Sequence, residues 1–185
     1  MSKFLYLLSF ILLSGSSTAQ NRFGFESGQI VTKQGDTIRC FIEIAVSYGS
    51  KVAYKNSIES KVLLMPSNEI RAIVTPYKYL ESVQLEDKEV LMTLMIKGKV
   101  NLFNYVIIKE VERPPGYGGI NSYQSDIAIF VLTKDGDSFE IKKSNFKDQM
   151  RQILNDCSSV VNKVNDGLYK FNDLDFIVLE YNSCK

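Results

Sequence analysis

The sequence predicts an α+β fold: a mainly antiparallel β-sheet built from hairpins, followed by a C-terminal antiparallel pair of amphipathic helices. Three observations carry this. Short runs rich in Val, Ile, Phe and Tyr recur between Gly- and Asp-bearing turns from Gln29 to Ile141. From Ser144 onward the apolar spacing becomes helical. Two hexapeptides, TKQGDT at 32–37 and TKDGDS at 133–138, set nearly the same turn between β-type runs about a hundred positions apart.

The chain opens with a leader. Met1-Ser2-Lys3 carries one positive charge, Phe4 to Leu13 is apolar except for Ser9, and small residues run to Ala19 before Gln20. That is the three-part pattern of a secretory signal peptide over residues 1–19, leaving 20–185 as a single α+β domain. The apolar run is shorter than the roughly 20 residues of a membrane-spanning helix, and no Cys follows it before Cys40. The expected protein is exported: periplasmic or secreted, or associated with the outer membrane, with no transmembrane segment in the mature chain.

Composition narrows the function classes. Lys3 is the leader's one charged residue, so 22 − 1 = 21 basic residues face 21 acidic ones and the mature chain is neutral. Nucleic-acid binders carry a clustered basic excess, and that partner class is set aside. The chain has no histidine. This removes Ser-His and Cys-His nucleophile pairs, His-ligated zinc and His general bases. No catalytic, cofactor-binding or metal-binding motif stands out, and the expected cofactor set is empty.

The β-rich part covers 20–142. Gln29–Thr32 and Thr37–Ile44 flank the first turn as a hairpin, with Ile38, Cys40, Ile42 and Ile44 on one face. Cys40 reads as a small buried hydrophobe, with a reactive thiol as the alternative. Val52–Lys55, Lys61–Met65, Ile70–Thr75 and Tyr77–Leu85 read as strands, with one helical turn at Pro66–Glu69. Residues 88–97 are ambiguous. Leu91, Leu94 and Met95 keep helical spacing between Asp87 as cap and Gly98 as stop, while a strand is the alternative. Val100–Lys109 is strongly β-like, and Asp126–Thr133 with Ser138–Ile141 forms the second hairpin.

Between them lies an irregular loop at 110–125 containing RPPGYGGINSYQS, whose prolines and glycines suit neither strand nor helix. The two similar hexapeptides read as one turn type used twice, because the resemblance ends at the turn. A calcium loop at Asp135-Gly136-Asp137 lacks the alternating oxygen ligands and distal Glu that such loops need.

The helical part covers 143–185. Phe146, Met150, Ile153, Leu154, Cys157, Val160, Val161 and Val164 form one apolar stripe on a helix of about 20 residues. Ser144 suits its start and Asp166-Gly167 its end. Asn172-Asp173-Leu174-Asp175 opens a second helix as a capping-box variant. In such an antiparallel pair, Cys157 and Cys184 lie roughly 12 and 17 Å from the connection at about 1.5 Å per residue. A little stagger brings them level. In an oxidising compartment the expected disulfide is Cys157–Cys184, with Cys40 left as the free thiol.

Two segments carry a family resemblance. Gly28-Gln29-Ile30-Val31-Thr32 followed by Gly35-Asp36-Thr37-Ile38-Arg39-Cys40-Phe41-Ile42, and the closing Tyr181-Asn182-Ser183-Cys184, resemble uncharacterised exported proteins of Bacteroidetes bacteria. That family shows a G-D-T-I-x-G-x-I hairpin near its start and Y-N-x-C at its end, with a further Cys matching Cys157. Some relatives carry an outer-membrane β-barrel after this region. The present chain has Cys40 where the family usually has Gly, and the resemblance implies no activity.

The function expected is therefore a non-catalytic envelope module that binds a protein or glycan partner, with the 110–125 loop either its contact element or a plain connector. Arg113, Tyr117 and Tyr123 are its candidate contacts, since Tyr and Arg dominate interface hot spots. One alternative is a His-independent hydrolase using carboxylates, with Asp135 and Asp137, or Glu86, Asp87 and Glu89, as the acidic clusters, or a Ser-Lys pair at Lys142-Lys143-Ser144. Another is a carrier of a small apolar ligand.

Overall fold

The computed structural model describes residues 24–45, 47–112 and 122–184. Its strands are β1 (Phe25–Thr32), β2 (Thr37–Glu43), β3 (Lys51–Lys55), β4 (Leu63–Pro66), β5 (Ile70–Val74), β6 (Tyr79–Leu85), β7 (Lys88–Ile96), β8 (Val100–Glu112), β9 (Ser122–Lys134) and β10 (Asp137–Ile141). Helices α1 (Phe146–Ile153), α2 (Ser158–Asn165) and α3 (Leu174–Asn182) follow. All ten strands join one sheet in the order β10-β9-β8-β7-β6-β5-β1-β2-β3-β4. Every neighbouring pair is antiparallel. The α+β expectation holds, and no helix among the described residues is long and apolar enough to cross a membrane.

The sheet cannot be flat. β3, β2 and β1 stand between β4 and β5, four strand spacings or about 19 Å in a flat sheet. Yet the 3₁₀ turn Ser67–Glu69 alone connects them, rising about 2 Å per residue. The β1–β5 part therefore curls until β4 ends near the start of β5. The turn is bonded on both sides: the Ser67 N–H donates to Ser50 O beside β3, and the Lys33 N–H beyond β1 donates to Glu69 O, each at 2.9 Å. At the other end β10 touches β6, also four strands away, so β6–β10 curls too.

Each curl encloses apolar side chains. Ile30, Ile42, Val52, Ile73, Leu80 and Leu91 fill the first, and Val83, Met92, Phe103 and Val131 the second. Leu91 and Met92 are adjacent and enter different clusters, which is strand alternation across a sheet buried on both faces. That double burial explains why residues 88–97 imitate a helix: no polar face breaks the run. They form β7, in register with β6 from Leu80↔Thr93 to Leu85↔Lys88. The third cluster lies under the helices, where Val100, Leu102 and Leu132 meet Met150, Leu154, Ile177 and Val178.

The twin hexapeptides form hairpins, but not the same turn. Lys134 pairs with Asp137, and the two residues between them, Asp135 at φ +53° and Gly136 at φ +94°, form a two-residue turn. In the first hairpin Gly35 takes φ +97° while Gln34 does not adopt positive φ, and four residues separate the strands. Asp tolerates the left-handed region better than Gln, so one letter changes the turn.

The expected twenty-residue helix is two helices. After α1 the Cys157 N–H donates to Leu154 O at 3.0 Å instead of to Ile153 O, and Cys157 is extended at φ −124°, ψ 84°. The carbonyl of Ile153 accepts from Lys134 Nζ at 2.8 Å instead. Ile153, Leu154, Cys157 and Val160 are all buried across the break, so the apolar stripe continues although the helix does not.

Capping also shifts. Asn145, not Ser144, precedes α1, and it makes no side-chain cap. The capping contact before α3 sits two residues earlier than expected, with the Lys170 N–H donating to Asp173 Oδ2 at 2.8 Å. The Asp166-Gly167 stop holds: Gly167 and Leu168 N–H groups return to the carbonyls of Val164 and Lys163 at 3.2 and 2.9 Å.

Candidate functional site: the β8–β9 arm

The longest hairpin, β8–β9, is held at its base by the C-terminal residues. Tyr181 donates its hydroxyl to Asp156 Oδ2 at 2.7 Å, and Lys134 Nζ donates to Asp156 Oδ1 at 2.7 Å from the base of β9. The Lys134 hydrogen bond, then that of Tyr181, holds the Asp156 carboxyl down to about 2. Asn182 grips the first residue of β8 at both backbone groups: its Oδ1 accepts from Val100 N and its Nδ2 donates to Val100 O, each at 2.9 Å. A Cβ on Gly98 would lie 2.3 Å from the Asn182 side chain, so glycine there admits the grip. The Cys157–Cys184 disulfide, Cα atoms 6.2 Å apart, joins the end of the chain to the break between α1 and α2.

The closing Tyr181-Asn182-Ser183-Cys184 is thus a latch with three separate attachments. Its helical stripe is legible in the sequence. The reach of Asn182 to Val100 and of Asp156 to Lys134 is not, because a polar side chain carries no periodic signal that names its partner on another element.

Beyond its base the hairpin loses its neighbours. β7 pairs with β8 from Ile96↔Leu102 to Thr93↔Asn104, and β10 pairs with β9 from Asp137↔Lys134 to Ile141↔Phe130. The β8–β9 pairing continues from Tyr105↔Ile129 to Glu112↔Ser122. Among the described residues no third strand flanks this stretch on either side. Eight pairs at about 3.4 Å per residue make an arm of roughly 27 Å. Tyr105 and Ile129 still pack on the cluster inside the second curl, whereas Ile108 and Ile127 stand 49% and 39% exposed further out. Isolated two-stranded ribbons are marginal in water, and bare strand edges offer unpaired N–H and C=O groups to another chain.

The arm relocates the expected loop. Strand pairing includes Glu110–Glu112 and Ser122–Ser125, which the sequence alone places in the loop. Tyr123 lies on β9 opposite Val111 in the backbone register. Arg113 and Tyr117 lie outside the described residues. Of the three expected contact residues, Tyr123 thus belongs to the outer part of the arm.

The other candidate residues do not converge. Asp135 sits in the β9–β10 turn and Asp137 opens β10, both exposed. Glu89 pairs with Lys33, while Glu86 lies in the β6–β7 turn close enough to Tyr105 to raise that phenol, after burial and Glu140. Lys142 approaches Glu140 at 3.9 Å, and Ser144 belongs to a 3₁₀ turn. Cys40 is 5% exposed, and burial pushes its thiol up.

Several surface grooves lie among the described residues, and four of them bear on the candidate chemistries. One of about 560 Å³ includes Gln29, Arg39 and Phe41; one of about 300 Å³ includes Met95, Phe130 and Asp175. One of about 360 Å³ includes Tyr48 and Glu89, and one of about 680 Å³ includes Lys143, Asp148 and Lys170. None of these four holds two carboxylates, and no group of three or more metal-ligating side chains occurs among the described residues.

In comparisons with known proteins the chain matches no family model, no curated protein and no solved structure.

Proposed function

We propose that the chain is an exported, non-catalytic module of the cell envelope that binds a protein partner through the β8–β9 arm. The observation that supports this best is the contrast along one hairpin: a base held by α3 and the disulfide, then eight residue pairs with no third strand beside them among the described residues. A ribbon of this kind presents edges for strand addition, together with the exposed side chains of Ile108 and Ile127. The Tyr-bearing outer end supplies the residue type that dominates interface hot spots. The leader-like residues 1–19 support export, and the absence of histidine, with no paired carboxylates in the four grooves described, favours binding over catalysis.

The test is an arm-less variant in which 107–127 is replaced by Asn-Gly, a turn suited to closing a short hairpin. Envelope extracts are passed over the intact and arm-less proteins, and each captured protein is purified and rebound. The expected result is a partner that rebinds the intact chain, fails with the arm-less one and weakens with Tyr123→Ala. A partner that rebinds both versions equally would overturn the assignment, provided the arm-less protein keeps its cooperative thermal transition.

A further inference from the structure

A second site lies away from the arm, in the 680 Å³ groove between the start of α1 and the Gly167–Phe171 connection. Four of its lining residues are cations, Lys143, Lys147, Arg151 and Lys170, against one carboxylate, Asp148. The whole chain has a formal charge of only +1, so this is a local concentration of positive charge. Asp148 faces Arg151, whose Nη1 donates to it at 3.1 Å. Arg151 Nε also donates to Asn165 Oδ1 at 2.7 Å, and Lys147 Nζ donates to Asn165 O at 3.0 Å. Those bonds hold two cations at the end of α2. Lys143 and Lys170 form no ion pair among the described residues.

The walls are aromatic and braced. Phe171 meets Phe146 and Phe130 edge to face at 6.0 and 5.9 Å, and the Tyr169 hydroxyl donates to Glu180 Oε2 at 2.5 Å. A pocket of about 300–1,000 Å³ with apolar walls and a few placed polar groups suits a small ligand or one unit of a longer one. Charge alone would suit any anion. Ring walls beside the charge, in a groove open to solvent rather than a closed cavity, suit an anionic group mounted on an extended, partly apolar frame. The geometry points to an acidic glycan: the groove binds sugar units bearing carboxylate or sulfate, with Lys143 and Lys170 meeting the charge and Tyr169 and Phe171 flanking the ring. The site is independent of the arm, and together they would tie a protein partner to an acidic polysaccharide.

The test is calorimetric titration of the protein lacking only its leader with four probes: tetragalacturonate, a heparin-derived tetrasaccharide, neutral maltotetraose and inorganic phosphate. At least one acidic tetrasaccharide is expected to bind, more tightly than maltotetraose and phosphate. The double variant Lys143→Glu, Lys170→Glu should weaken that binding about tenfold or more, because two charges that meet the ligand become repulsive. Lys51→Glu, Lys61→Glu changes the net charge equally on distant exposed strand and loop positions and should stay within about twofold, since exposed charges farther than about a Debye length are screened. Absence of binding by both acidic probes would overturn the proposal. So would maltotetraose or phosphate binding as tightly, or equal damage from the two double variants. Either failure leaves the arm reading untouched, since none of these probes or variants involves β8 or β9.

Discussion

The base and the arm of the β8–β9 hairpin are the same two strands in two environments. At the base, Leu102 and Leu132 are fully buried under the helices while Phe103 and Val131 are buried on the opposite face. In the arm the strands keep each other and little else. The difference shows what a third strand and a helical layer contribute: strand pairing sets geometry, and burial on two faces sets stability. It also explains why the C-terminal latch is attached where it is. Asn182 and Lys134 act at Val100 and at the end of β9, the two residues that pair at the root of the hairpin.

The largest expected effect compares two apolar residues on β9. Leu132→Ala should cost about 2–5 kcal/mol in urea unfolding, as for a fully buried leucine. Ile127→Ala should cost less than about 1 kcal/mol because its side chain is partly in water already. Equal losses would abolish the contrast. Next is the disulfide: Cys157→Ala with Cys184→Ala opens a loop of sequence separation 27 and should cost about 3 kcal/mol. Smaller again is Asn182→Ala, which removes both partners of the Val100 backbone and should cost about 1–3 kcal/mol. Amides near Val100 should then exchange faster while those of the arm do not change.

The smallest effect is on pH dependence. The Asp156 carboxyl is held at about 2, below its ordinary 3.8, so the folded state binds its proton less readily than the unfolded one. Its contribution is fully present above pH 3.8 and is lost as pH falls through about 2. The side chain is 56% exposed, so solvent screening keeps the contribution modest. Asp156→Asn should flatten this part of the acid-unfolding profile, and a profile unchanged from the parent would contradict the Lys134–Asp156–Tyr181 arrangement.

Much of the architecture was legible because it depends on local chemistry. The hairpin around Gly35, the hairpin around Gly136 and the helix stop at Gly167 each follow from residues a few positions apart. The Cys157–Cys184 pairing was also legible, since both cysteines lie on apolar stripes near the end of the chain. What escaped depends on distant partners. β7 imitates a helix because both its faces are buried, and the break at Asn155-Asp156 is stabilised by Lys134 from β9. The arm escaped for a related reason: whether a third strand flanks β8 and β9 leaves no mark in their alternation. For the candidate site the sequence suggested a loop at 110–125, whereas residues 110–112 and 122–125 are paired strand.

The most direct test of this account is amide hydrogen exchange at single-residue resolution along β8 and β9. The ladder-bonded amides of Val100–Asn104 and Phe130–Lys134 should exchange only with global unfolding. Those of Tyr105–Lys109 and Ser125–Ile129 should exchange about a hundredfold or more faster, through local opening of the arm. Uniform protection along both strands would mean that the arm is packed as firmly as its base, and the distinction between a latched core and an exposed binding element would fall.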